Sequence, residues 1–246
     1  MIFDIQKAGI LKRASAFLLD FILLVILTTG FSLLLSVTIH FNDRLDDYKQ
    51  LKNELEESYK VDPDAGITEE QYNAWPEEQK KCYADMITAL RLVLNMTLII
   101  ATFGILLSYI ALEFIVPLIL KDGQTIGKKI FGIAVIRTDG VKLSSLQLFV
   151  RTILGKFTIE TMIPVLLIMM SMSGMIGFFG PMLIAVLLVA QIIIMAATKT
   201  NSLIHDLLAN TVTVDKASQL IFETEDEMIE YKKKIAAAEA AKQEYR

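Results

Sequence analysis

Residues 157–197 read FTIETMIPVLLIMMSMSGMIGFFGPMLIAVLLVAQIIIMAA, and almost every side chain in this stretch is apolar. As a single helix it would be about 60 Å long, roughly twice the thickness of the hydrocarbon core of a bilayer. The chain must therefore turn back within the stretch. Glycines and a proline between Ser171 and Pro181 favour a break there. We predict two antiparallel membrane spans, residues 157–172 and 180–197.

Two earlier stretches predict the first and second spans. Residues 14–39 contain one charged residue, Asp20, and residues 92–120 contain one acid, Glu113, before a turn signal at residues 121–123. Each stretch exceeds the roughly 20 residues that a helix needs to cross hydrocarbon. The chain is 54% hydrophobic with a mean hydropathy of +0.50, which is too apolar for an ordinary soluble domain. The sequence therefore predicts an all-α membrane protein with a bundle of four transmembrane helices.

The charge distribution predicts the orientation of these spans. Basic residues are concentrated in the N-terminal arm, residues 1–13, and in the segment between spans two and three, residues 121–156. The segment between spans one and two, residues 40–91, instead holds thirteen acidic residues against seven basic ones. Because basic loops stay in the cytoplasm, we expect a multi-pass protein of the cell membrane with both termini cytoplasmic.

The acidic segment 40–91 is predicted to be an extracytoplasmic helical hairpin. Apolar side chains recur in it at steps of three and four, the spacing of one helix face. Turn residues at 62–66 mark its tip, and Thr68 with Gln71 forms a capping-box pattern that begins a new helix. The hairpin is either a solvated acidic cap or a surface that binds a partner.

The cytoplasmic segments are predicted to contain a small β element. Residues 133–136 and 141–143 flank an Asp-Gly turn signal and predict a β-hairpin, which an amphipathic helix follows. In residues 198–216, the stretch 211–214 alternates like a strand, and we predict that it completes a three-stranded sheet. The alternative is an extended exit from the membrane. Residues 217–246 predict a charged, poorly docked helical tail.

Polar residues inside the apolar segments are the candidate site. A charged side chain in a span is costly, by roughly 2.5–3.5 kcal/mol, so it usually has a partner and marks function. We expect interhelical pairing, with Asp206 near Arg13 or Arg151, and two interpretations remain open: ion pairs that hold the helices in register, or a relay for protons or cations. The candidate residues are Arg13, Asp20, Glu113, Arg151, Lys156, Glu160, Gln191, His205 and Asp206.

Several other classes of function are disfavoured by the sequence. A single cysteine, Cys82, excludes an intrachain disulfide framework and a clustered-thiol metal site. A net charge of -4 gives no sign of nucleic-acid binding. The glycine-containing stretch 123–129 lacks the spacing of a phosphate-binding loop, and the two histidines lack metal-ligand spacing. We expect no enzymatic activity, no cofactor and no bound metal.

Three separated blocks resemble the RDD family of bacterial membrane proteins, named for an arginine and two aspartates. The first, residues 12–20, reads KRASAFLLD and supplies the arginine and the first aspartate. The second runs from residue 123, GQTIGKKIFGIAVIRTDG, through Arg151. The third, residues 203–214, reads LIHDLLANTVTV and supplies the second aspartate. The long acidic segment 40–91 departs from the family's usual pattern.

The resemblance implies an architecture more than an activity, because the roles of the family are diverse. Some members are linked to exchange of sodium or other cations against protons, and others are regulators or adaptors. Three hypotheses follow: a proton-coupled Na⁺, Li⁺ or K⁺ transporter that uses the buried carboxylates, an adaptor of a partner membrane protein, or a lipid-binding protein. Homo-oligomerisation would help the first two, and the outer hairpin or the tail would bind the partner. The residues expected to contact lipid headgroups are Lys128, Lys129, Arg137 and Lys142.

Overall fold

The computed structural model describes residues 5–244 and is mostly helical. The first four residues of the predicted arm and the last two of the predicted tail lie outside that range. In chain order the elements are α1 (Ile10–Thr38), α2 (Phe41–Ser58), α3 (Glu69–Ala74), α4 (Glu77–Leu120), α5 (Ile126–Ile130), β1 (Ile133–Arg137), α6 (Ser145–Met172), α7 (Phe179–Ala197), α8 (Ile204–Leu208), β2 (Thr211–Asp215) and α9 (Glu225–Glu244).

Four of these helices, α1, α4, α6 and α7, are long and apolar enough to cross a membrane. The prediction of a mostly helical protein with four spans is therefore confirmed. The break between α6 and α7 contains Gly174 and Gly177, both with positive φ, where a helix of L-residues cannot continue. The predicted amphipathic helix and third span form one continuous helix, α6, which begins at a capping box between Ser144 and Gln147.

Two of the spans contain π-helical segments. In α4 the segment is Ile110–Ile115, and in α6 it is Val150–Met162. Pro117 follows the first segment and has no N–H, so the carbonyl group of Glu113, four residues earlier, lacks its usual helical donor. The Thr152 hydroxyl donates a hydrogen bond to this carbonyl oxygen at 2.9 Å. The carbonyl group that Pro117 leaves without a helical donor thus provides a hydrogen bond between α4 and α6, at the position of Glu113.

The structure forms two compact units, and the smaller one comprises Leu27–Leu107. In it α2 and the first turns of α4 form the predicted helical hairpin, with Leu55, Cys82 and Met86 buried between them. The rings of Tyr72, Trp75 and Tyr83 pack together with centroids 5.5–6.0 Å apart. The capping box of Thr68 and Gln71 is present at the start of α3, as the sequence predicted.

The larger unit contains residues up to Ile26 and those from Ser108 onward, including the β element. β1 and β2 pair in antiparallel fashion, with Ile133 opposite Asp215 and Arg137 opposite Thr211. The predicted pairing of residues 133–136 with 211–214 is thus confirmed. Side chains on both faces of the two strands are buried, and on one face Ala134, Ile136, Val212 and Val214 form an apolar cluster.

The prediction of a third strand at residues 141–143 is wrong. A single bridge joins Ile136 to Lys142, and the sheet has two strands. The Asp139 carboxylate accepts a hydrogen bond from the backbone N–H of Val141, which closes the turn tightly. The chain then leaves β1, and the backbone N–H of Lys142 donates to the carbonyl oxygen of Phe222 instead.

The prediction that the tail is poorly docked is wrong for its first part. Phe222 and Met228 are both buried against Val141. Beyond them, most residues of α9 from 233 to 241 are exposed. The beginning of the tail therefore belongs to the larger unit.

Candidate functional site

Asp206 and Arg151 form the central ion pair of the larger unit. Asp206 lies on the short helix α8 and is fully buried, and Arg151 lies in the π-helical segment of α6. The Nε and Nη2 atoms of Arg151 lie 3.0 and 2.9 Å from Oδ1 of Asp206, and the Thr211 hydroxyl donates to the same oxygen at 2.9 Å. Burial opposes ionisation of Asp206, but Arg151 outweighs it and lowers the pKa of this carboxyl. The predicted contact of Asp206 with an arginine is confirmed.

The second carboxylate oxygen of Asp206, Oδ2, is buried and accepts no hydrogen bond from the described residues. Two basic groups lie just beyond hydrogen-bond distance: Nη2 of Arg13 at 4.0 Å and Nε2 of His205 at 3.6 Å. Arg13 also donates to the carbonyl oxygen of Thr200 at 3.3 Å. The two arginines and the histidine therefore converge on one carboxylate, as the interhelical-pairing hypothesis requires.

His205 connects Asp206 to a second carboxylate, Glu160. Its Nδ1 atom lies 2.9 Å from both carboxylate oxygens of Glu160, and its backbone N–H donates to Oε1 at 3.2 Å. Burial lowers the pKa of His205 more than the neighbouring carboxylates of Asp206 and Glu160 raise it. A Cβ atom on Gly155 would lie 2.5 Å from Cβ of His205, so the approach of α8 to α6 requires glycine there.

Glu113 is the centre of a second group of ion pairs. Its Oε2 atom lies 2.6 Å from Nζ of Lys156 and 3.7 Å from Nζ of Lys128. Lys128 is itself buried, and burial lowers its pKa to about 8. The expectation that Lys128 contacts lipid headgroups is therefore wrong, because its ammonium group faces Glu113 and the Thr125 hydroxyl.

Asp20 differs from the other carboxylates in its partners. It accepts hydrogen bonds from the Thr125 hydroxyl and from the backbone N–H of Gly127, at 2.8 Å for the latter, both at the beginning of α5. A carboxylate from α1 thus satisfies a free N–H group of another helix. Among residues 5–244, no lysine, arginine or histidine forms an ion pair with Asp20.

The contact between α1 and α5 is close enough to require glycine. A Cβ atom on Gly127 would lie 2.3 Å from the carbonyl oxygen of Ala16 and 2.9 Å from the Asp20 carboxylate. Ala16 is buried at the same contact. The second glycine of the GQTIG motif therefore allows the backbones of α1 and α5 to touch, and this contact brings Asp20 to the Thr125 hydroxyl.

The cluster contains as many carboxylates as lysine and arginine side chains. Four of each lie in this part of the larger unit, together with His205. Such an arrangement can hold helices in register and can pass protons between hydrogen-bonded groups. Within residues 5–244, no three His, Cys, Asp or Glu side chains are arranged so that they could hold a metal ion. The charged members are Arg13, Asp20, Glu113, Lys128, Arg151, Lys156, Glu160 and Asp206.

Some predicted site residues lie elsewhere. Gln191 is half-buried on α7 and forms no hydrogen bond with the cluster among the described residues. Lys129 is exposed, as a headgroup-binding residue would be. Arg137 is ion-paired with Asp139 and with Glu225 of the tail. Lys142 is likewise ion-paired with Asp122 and with Glu223 of the tail, so both cations already have acidic partners within the chain.

Threonine hydroxyls are the functional groups that sequence reasoning missed. Thr125, Thr152 and Thr211 each hydrogen-bond to a carboxylate or to the backbone of an acidic residue in the cluster. One sequence signal was present for Thr125, which follows a turn and precedes a short basic helix, the position of an N-cap. The helix-interior proline at 117 also indicated that a carbonyl group would need a new donor.

The fold and the cluster define a multi-spanning membrane protein whose polar residues meet around an arginine–aspartate pair. The RDD family model matches residues 7–210, which include Arg13, Asp20 and Asp206. The chain belongs to the RDD family, so the resemblance noted in the sequence is confirmed. No match was found among curated proteins or among solved structures.

Proposed function

We propose that this protein exchanges protons for a monovalent cation across the membrane, with Asp20 as the carboxylate that holds either ion. One observation carries the proposal. Each of the other three carboxylates in the cluster has a lysine, arginine or histidine nitrogen within 4.0 Å, and Asp20 has none among the described residues. The proposal assigns no enzymatic activity to the chain.

The physical case rests on the lack of a cation in direct contact with Asp20 among the described residues. Asp20 is half-buried in an apolar helix, where ionised carboxylates are expensive. Hydrogen bonds from Thr125 and Gly127 orient the carboxylate, and the Lys128 ammonium group is linked to it through the Thr125 hydroxyl, but none of these places a positive charge directly on the carboxylate. A proton, Na⁺, Li⁺ or K⁺ can supply it, and competition between these ions is the basis of exchange.

The chain of Glu160, His205 and Asp206 supports the proton branch of the proposal. A neutral imidazole can accept a proton on one nitrogen and release it from the other. Nδ1 of His205 faces Glu160, and Nε2 faces the oxygen of Asp206 that accepts no hydrogen bond from the described residues. This geometry allows a proton to pass between the two carboxylates with little movement of the side chains.

Asp20→Asn is expected to abolish cation-driven proton flux. The amide keeps the size of the side chain, but it cannot bind a proton or attract a cation. The purified chain is reconstituted in vesicles that hold a pH gradient, and dissipation of that gradient is recorded on addition of Na⁺, K⁺ or Li⁺.

Asp43→Asn is the matched control, because Asp43 is an exposed acid outside the cluster, and it should retain wild-type flux. Thermal unfolding of both variants in detergent separates loss of transport from loss of folding. Undiminished flux in Asp20→Asn, or no cation-driven flux in the wild type, would contradict the proposal.

We also propose that the protein lies in the cell membrane with both termini cytoplasmic and the hairpin of α2 and α4 outside. The native Cys82 is a poor reporter because only 8% of it is exposed. In a Cys82→Ala background, Asn53→Cys and Ser218→Cys place thiols at exposed positions. A membrane-impermeant maleimide added to intact cells should label the first and not the second. Labelling in the reverse order would overturn this orientation, and permeabilised cells should show both thiols labelled.

A second candidate function is a non-transporting adaptor. The smaller unit favours it, because the packed rings of Tyr72, Trp75 and Tyr83 form a rigid, half-buried aromatic group beside many acidic residues. Such a surface suits a basic, aromatic-containing partner membrane protein or a second copy of the chain. Absence of flux together with partner co-purification that Trp75→Ala abolishes would favour this function over exchange.

A further inference from the structure

The segment after β2 folds back onto the turn that follows β1. The backbone N–H of Phe222 donates to the carbonyl oxygen of Gly140 at 3.1 Å, and that of Lys142 donates to the carbonyl oxygen of Phe222 at 2.9 Å. Val141 and Phe222 form an isolated parallel bridge. The backbone of Phe222 thus pairs with residues 140–142 as an added strand would, over a length of one residue.

The added segment has an aromatic anchor. Phe222 is 2% exposed and packs with Val141 and Met228 in one apolar cluster. The ring of Tyr231 lies over it, with centroids 5.3 Å apart. The neighbouring Ile229 is 43% exposed, so contact with the rest of the unit depends on a few side chains.

The same segment is matched to the edge in charge. Glu223 pairs with Lys142, and Glu225 pairs with Arg137. The body of the unit already supplies one carboxylate to each of these cations, Asp122 to Lys142 and Asp139 to Arg137. The tail therefore adds a second acid to each cation, from positions one and three residues after Phe222.

We propose that residues 140–142, together with Arg137, form a binding edge for an extended acidic peptide with a phenylalanine anchor, and that residues 220–225 cover this edge from within the chain. The recognised pattern is phenylalanine with acids one and three residues later, as in the chain's own FETE at 222–225. The partner is a protein that carries such a segment.

The cover has the properties of a removable segment. Its contact includes two backbone hydrogen bonds, the Phe222 ring, and the half-buried Ile221 against the apolar cluster of β1 and β2. It also includes two ion pairs whose glutamates are 59% and 69% exposed, and exposed ion pairs contribute little. The β1–β2 ladder beside it is continuous over five pairs, and its three central pairs are buried. Segments with few buried contacts open well before the surrounding core. The edge lies within the residues matched to the family, and the cover lies beyond them.

The test is binding of a fluorescent peptide with the sequence SQLIFETEDEMIE, residues 218–230, to the full chain in detergent micelles. The attached cover competes at an effective concentration of order millimolar, so the wild-type chain should bind the peptide weakly. Phe222→Ala in the chain removes the anchor of the cover and should tighten peptide binding by about tenfold or more. Ile229→Ala, in the same segment but exposed, is the matched control and should bind as the wild type does.

Two further measurements complete the test. A peptide with Glu223→Gln and Glu225→Gln should bind the Phe222→Ala chain more weakly, and raised salt should weaken the unaltered peptide. If Phe222→Ala does not yield folded protein, a chain with Glu223→Gln and Glu225→Gln replaces it, with tighter binding again expected. Equal binding by the wild-type and uncovered chains, or equal binding of a scrambled peptide, would overturn the proposal.

Discussion

Arg151→Met is expected to reduce the free energy of unfolding by about 3–5 kcal/mol, the usual cost of removing one partner of a buried ion pair. Methionine fills much of the same space, so the loss comes mainly from the charge left behind. Asp206 is fully buried and takes two of its three contacts at Oδ1 from Arg151. Its remaining cation, Arg13, lies 4.0 Å from the other oxygen and cannot replace them. The measurement is thermal unfolding in detergent, followed by circular dichroism.

Arg137→Met is the matched control, because Arg137 forms exposed ion pairs on the same unit and its loss should cost no more than about 1 kcal/mol. The double variant Arg151→Met/Asp206→Leu removes both buried charges and should recover part of the loss. Similar unfolding temperatures for Arg151→Met and Arg137→Met would show that the buried pair does not hold α6 to α8.

The sequence predicted those features that depend on local composition or on length. Four spans followed from apolar stretches that only a membrane can accommodate, and the capping boxes at Thr68 and Ser144 depend on residues three apart. A pairing of Asp206 with Arg13 or Arg151 was also predictable, because a buried carboxylate needs a cation and few cations were available, and Arg151 is the closer partner. In each case residue type or local spacing indicates the structure directly.

The location of Lys128 could not be predicted, because adjacent lysines give no indication of which one faces inward. Lys128 and Lys129 are neighbours on the short helix α5, and only the tertiary packing of α5 buries the first and exposes the second. This packing places Lys128 near Glu113, which is 15 residues earlier in the sequence. Residues that meet through tertiary contacts of this kind leave no periodic pattern.

The third strand failed for a related reason. Residues 141–143 have the composition of a strand, but the partner of a strand edge is chosen by the whole fold. Phe222 competes for that edge and adds a buried ring to the backbone bonds. Its surroundings in sequence are charged, and this composition predicted an undocked helix. Phe222, the one phenylalanine in residues 217–246, was the available signal.

Two glycines allow the close contacts that position the polar residues of the cluster. A Cβ atom on Gly127 would lie 2.3 Å from the carbonyl oxygen of Ala16, and one on Gly155 would lie 2.5 Å from the Cβ and 2.8 Å from the Cα of His205. The first contact places Asp20 at the beginning of α5, and the second places His205 beside Glu160. The positions of these polar side chains therefore depend on Gly127 and Gly155, which have no functional side chains themselves.

Gly127→Ala is consequently expected to destabilise the larger unit by about 1–3 kcal/mol, the usual cost of overpacking. The atom that a new Cβ would meet is the Ala16 carbonyl oxygen, which cannot rotate away as a side chain could. To relieve the contact, α5 must move away from α1, and Asp20 must then lose its hydrogen bond from the backbone of residue 127. We expect a lower unfolding temperature and, under the proposed exchange, a reduced cation-driven proton flux.

Gly9→Ala is the matched control, since a Cβ there meets no atom within 4 Å and its backbone needs no positive φ. It lies one residue before α1 and should change neither the unfolding temperature nor the flux. Both variants are compared with the wild type in the same detergent and vesicles. If Gly127→Ala unfolded at the same temperature as Gly9→Ala, α5 would not be in close contact with α1. The placement of Asp20 at Thr125 and Gly127, on which the proposed exchange depends, would then be contradicted.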